Sequence, residues 1–129
     1  MDDCTPYAPI RSVEHLCYLH YQLYDFPTVD EYRHVLIQIA NAGTQSYLSR
    51  VLLDASTVQS SFEVMEARAF GHTLGAVMPR HFRLALLVHH YSPGRHRAEA
   101  IALSHLVYLK YFTKPDEALK WLLKGASRP

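Results

Sequence analysis

Two short apolar runs constrain this chain more than anything else in it: "RVLLDAS" at residues 50–56 and "FRLALLV" at residues 82–88. Each is continuously apolar between polar ends and too short for a stable helix, which is the signature of a strand buried on both faces. Such strands need helices to cover them, and the chain between the two runs is long enough for one. An alternating α/β pattern with buried central strands is therefore expected.

The flanking segments supply those helices. Thr28 and Glu31 have capping-box spacing, and Tyr32, Val35, Leu36, Ile39 and Ala40 follow at i, i+3, i+4, i+7 and i+8, predicting an amphipathic helix of about 14 residues that closes near Gly43. Ser60 and Glu63 repeat the capping box, and a second helix is predicted from Ser61 to about Val77, ended by Pro79. Ala98, Ile101, Ala102, His105, Leu106 and Leu109 mark a third, from about Arg95 to Leu109, after a turn at "YSPG". A short strand, "LKYF", follows. The last helix opens at "TKPDEA", with Pro115 preorganised for the first turn and Asp116 and Glu117 complementing the helix dipole, and it stops at Gly125. Its buried stripe is Ala118, Leu119, Leu122 and Leu123. Before all of these, Val13 to Tyr24 reads as one or two strands with one wet face.

Size and charge narrow the possibilities further. The 129 residues suit one domain, expected over 13–125 behind a flexible lead-in at 1–12 that carries Pro6 and Pro9. A net charge of +1 gives no broad field for nucleic acid or an anionic membrane, so no nucleic-acid partner is expected. Cys4 and Cys17 form neither a CxxC pair nor a zinc-knuckle spacing, which fits a reducing compartment. With no apolar h-region at the start and no run long enough to span a bilayer, the expected location is the cytoplasm.

The strand "VLLDAS", the strand "FRLALLV" and the ending "YFTKPDEALKWLL", taken in order, resemble the SpoIIAA-like family within the STAS and SEC14-like group of small bacterial α/β domains. That family ends in a phrase of the type aromatic-Phe-x-x-x-x-E-A-x-x-W-L, which Phe112, Glu117, Ala118, Trp121 and Leu122 match residue by residue. The similarity spans roughly residues 17 to 124. It implies a mixed sheet of four or five strands with about four helices mainly on one face. It also implies a regulatory or protein-binding module rather than an enzyme, with a homodimer or a protein partner, in bacterial signalling. The SEC14-like side of the group implies a second reading, a carrier or sensor of a small apolar ligand, with Phe62, Met65 and Phe70 as candidate lining.

Anti-sigma-factor antagonists of the STAS group carry a phosphorylatable serine after the central strand, in a phrase like D-S-S-G. Ser60 and Ser61 fall in the equivalent place, where a helix N-terminus would receive the phosphate charge. Gln59 stands where that phrase has Asp, and Phe62 where it has Gly, so a helix cap at Ser60 is the preferred role. Asp54 closes the first buried strand. It is a candidate for the ligand end of the sheet, or for a turn cap that accepts nearby backbone N–H groups, and the cap is again preferred.

The remaining constellations favour packing or solvent. His89, His90 and His96 surround one turn with Arg95 and Arg97, but consecutive His89 and His90 would face opposite ways on a continuing strand, so a solvated loop is expected. His105 on an apolar stripe, and His34 beside one, read as packed residues. Tyr18, Tyr21, Tyr24, Tyr32, Tyr108 and Tyr111 suit core and boundary positions, and Trp121 a packing anchor. No phosphate loop, nucleophile elbow or zinc-protease motif is present, and neither a metal nor a cofactor is expected.

Overall fold

In the computed structural model the two apolar runs lie side by side as parallel strands, in register from Arg50 opposite Arg83 to Ala55 opposite Val88. The structure describes residues 10–14, 18–23, 29–57, 67–91 and 93–124. In chain order the elements are β1 (Ile10–Glu14), β2 (Leu19–Leu23), α1 (Val29–Ser46), β3 (Arg50–Ala55), α2 (Ala67–Val77), β4 (Arg83–Val88), α3 (Arg95–Ser104), β5 (Tyr108–Phe112) and α4 (Pro115–Leu123). They form an α/β fold on one five-stranded sheet in the order β1-β2-β3-β4-β5. Strands β2 to β5 are mutually parallel, and β1 pairs antiparallel with β2.

Because each crossover steps one strand in the same direction, a constant crossover hand places α1, α2 and α3 on one face. Burial agrees: Val35, Leu36 and Ile39 of α1, Phe70 and Leu74 of α2, and Ala98 and Ala102 of α3 share one core with Val51, Leu53, Leu84, Leu86 and Tyr111. The alternate residues of the strands point the other way. Leu52, Ala85, Leu87 and Phe112 form a smaller core with Ala118 and Leu122 of α4. The central strands are thus buried on both faces, as their unbroken apolar character requires.

Helices α2 and α3 approach closely because small residues meet at their seam. A Cβ on Gly71 would lie 2.9 Å from the carbonyl oxygen of Ala98, and one on Gly75 would lie 2.3 Å from the His105 ring. His105 fills the space that Gly75 leaves and meets His72 edge-on, with ring centroids 5.8 Å apart.

Several boundaries differ from the sequence expectation. Helix α1 runs past Gly43 to Ser46, since Gly43 serves as a packing notch against the Phe82 ring rather than as the stop. The stop is Tyr47, at φ 60°. There the N–H of Leu48 donates to the Gly43 carbonyl (3.0 Å) and that of Tyr47 to Thr44 (3.4 Å), a Schellman arrangement with a non-glycine residue in the left-handed position. The same device ends α3 at Ser104, not at Leu109: Leu106 sits at φ 65°, and Val107 N–H donates to the Ala102 carbonyl at 3.0 Å. Leu109 accordingly belongs to β5. Strand β1 begins at Ile10, inside the stretch read as lead-in. Thr28 and the first part of the expected 61–77 helix lie outside the described residues, whereas α2 ends at Val77 ahead of Pro79 as expected.

Candidate functional site

The carboxyl edge of the sheet holds Asp54, one of the residues that the sequence singles out. Asp54 is half-buried near the end of β3, opposite Leu87 of β4 and Gln22 of β2. Its Oδ1 accepts from the Ser56 backbone N–H at 3.0 Å and from the Ser56 hydroxyl at 2.6 Å. The carboxylate thus bonds within the turn that leaves β3. A sheet wound in one direction also has no reversal of strand order among β2 to β5, and so no crevice of the kind in which open α/β sheets hold ligands beside such a residue. Ser60, Ser61, Phe62 and Met65 lie outside the described residues. Phe70 is buried in the main core, 3% exposed.

At the next strand end, His89 and His90 are exposed and their rings lie together, centroids 4.2 Å apart, because β4 stops at Val88 and the alternation of faces stops with it. Arg95 stacks on the Tyr91 ring at 3.9 Å, and His96 lies 3.6 Å from Glu99. The other oxygen of Glu99 turns inward and accepts the backbone N–H of Tyr111 at 3.0 Å. Burial, and secondarily the Glu99 charge, push the Tyr111 phenol well above the ordinary tyrosine range. Among the described residues no group of three or more His, Cys, Asp or Glu side chains converges as a metal site, and no helix is long and apolar enough to cross a membrane.

The opposite, amino edge carries an arrangement that sequence reasoning missed. Arg50 and Arg83 open β3 and β4 as register partners and reach under the end of α4. Arg83 donates to the carbonyls of Trp121 and Lys124, both at 2.8 Å, and its guanidinium lies 4.5 Å from the centre of the Trp121 ring. Arg50 donates to the Leu122 carbonyl at 2.9 Å and more distantly to Lys124. Burial, and then the neighbouring Arg50 charge, pull the Arg83 guanidinium below its usual range. Trp121 also packs on Phe112, centroids 5.7 Å apart. Phe112, Ala118, Trp121 and Leu122 of the C-terminal phrase are thus one packing unit, locked by an arginine from each central strand. The available signal is that β3 and β4 each open with an arginine, Arg50 and Arg83. Comparison with family models, with curated proteins and with solved structures gives no match to this chain.

Proposed function

We propose that the chain is a non-enzymatic regulatory, protein-binding module of the SpoIIAA-like, STAS type, acting by surface contact at the carboxyl edge of its sheet. The observation that carries this reading is the joint packing of Phe112, Ala118, Trp121 and Leu122, four of the five C-terminal residues on which the resemblance rests, behind a sheet wound in a single direction. The Asp54–Ser56 turn ends β3 at that edge, and Ser60 and Ser61 follow it in the sequence. A phosphate added there would change the contact by charge. Native mass spectrometry of the protein isolated gently from its own cells tests the reading. The expected result is a phosphorylated species, or a complex with a second protein that Ser60→Asp/Ser61→Asp disrupts. A stoichiometric small apolar molecule in place of either would refute it in favour of a carrier.

A further inference from the structure

We infer that the amino edge around Arg50, Arg83 and Trp121 is a binding site for an oxyanion, a carboxylate or phosphoryl group. Two guanidiniums stand side by side here as register partners, and among the described residues no carboxylate pairs with either; their contacts are backbone carbonyls and the Trp121 ring. A helix C-terminus carries only about half a negative charge. That is enough to account for one capping cation. Lys120 and Lys124 add two more charges from α4 itself, and both line a shallow depression with Glu117, Trp121 and Leu123. Glu117 and the helix end together offset about one and a half of the four positive charges, which leaves a positive excess over the arginine pair and the adjoining hollow that Lys120, Trp121 and Lys124 line. The depression and the arginine pair are continuous: Trp121 and Lys124 line the first, and their carbonyls accept from Arg83.

The donors suit an incoming oxyanion without displacing α4. The contacts above use two N–H groups of each guanidinium, and the fork geometry leaves others for a bidentate partner. The uncompensated charge is a local cost that the fold tolerates, a pattern characteristic of sites that receive a ligand.

The test uses the full chain and its single tryptophan, which sits in the site. Trp121 fluorescence is followed while the protein is titrated with inorganic phosphate, with an oligoglutamate peptide, and with potassium chloride at matched ionic strength. A saturable change with phosphate identifies a small free oxyanion as the ligand class. Saturation with oligoglutamate alone identifies an acidic segment of a protein partner. In either case Lys120→Gln/Lys124→Gln, which alters only exposed side chains, and Arg50→Gln, with α4 checked by circular dichroism, should each weaken binding at least about tenfold. Responses no different from chloride, or undiminished affinity in the lysine variant, would overturn the inference.

Discussion

Gly75→Ala offers the sharpest test of how α2 and α3 are packed. On an exposed helix face this change gains about 1 kcal/mol of helix propensity. Here the new methyl carbon would fall 2.3 Å from two atoms of the His105 ring and 2.7 Å from His105 Cβ, where carbon atoms need about 3.5–4.0 Å. Rotating the ring relieves the first overlap but not the second, because Cβ is fixed to the backbone, so the end of α3 must move by about 1 Å. Overpacking costs about 1–3 kcal/mol, and an overlap that only a backbone shift relieves falls in the upper part of that range, about 2–3 kcal/mol. Since the propensity gain offsets part of it, we expect a net loss of about 1–2 kcal/mol, or about 3–8 °C in Tm for a domain of this size. Urea unfolding read by Trp121 fluorescence and by circular dichroism measures it. The double variant with His105→Ala should lose less than the sum of the two single changes, by at least about 0.5 kcal/mol. A neutral or stabilised Gly75→Ala protein would refute the close seam.

Other substitutions probe the turns and the buried phenol. Tyr47 is 93% exposed and holds φ 60°, so Tyr47→Gly should remove left-handed strain of about 1–2 kcal/mol against a glycine entropy cost of about 0.5–1 kcal/mol. The expected gain is about 0.5–1 kcal/mol in urea unfolding, and Tyr47→Ala, which keeps the strain, should show none. Asp54→Ala should cost about 1–2 kcal/mol through its two lost bonds to Ser56, and Asp54→Asn distinctly less because it keeps an acceptor; equal losses would count against the turn cap. For Tyr111 the folded-state pKa lies above the unfolded value near 10, so the unfolded chain loses its proton first. Stability from this group is complete below about pH 10 and falls above it, by up to about 1.4 kcal/mol per pH unit. Tyr111→Phe should flatten that decline in unfolding curves taken between pH 9 and pH 12, ~3 units that start below the unfolded value and cover the onset of the decline.

The strand and helix order was legible because each element carries its own period. Val51–Leu53 and Leu84–Val88 have no polar interruption, and the stripe from Val35 to Ala40 is strongly helical. Boundaries were less legible where the ending depends on a partner remote in sequence. Gly43 looks like a helix stop until the Phe82 ring occupies the space beside it. Leu106 carries no sequence mark of a left-handed residue, so the stripe continues past the true end of α3 to Leu109. Asp54 could be read as a cap because its partner is two residues away. The arginine pair could not, since Arg50 meets Leu122 and Arg83 meets Trp121 only after two parallel strands have aligned and α4 has folded back across them.

The bond from the Tyr111 N–H to Glu99 has a consequence for what the sheet refuses to do. Strand β5 is an outer strand, and an outer strand with open amides is a template for a neighbour's backbone. Glu99 occupies one of those amides with a side chain from the preceding helix, and its charge would meet any strand that approached. The carboxylate thus takes up one of the donors that intermolecular sheet extension at β5 would need, so the winding that adds one strand after another ends at an edge with that donor already spent.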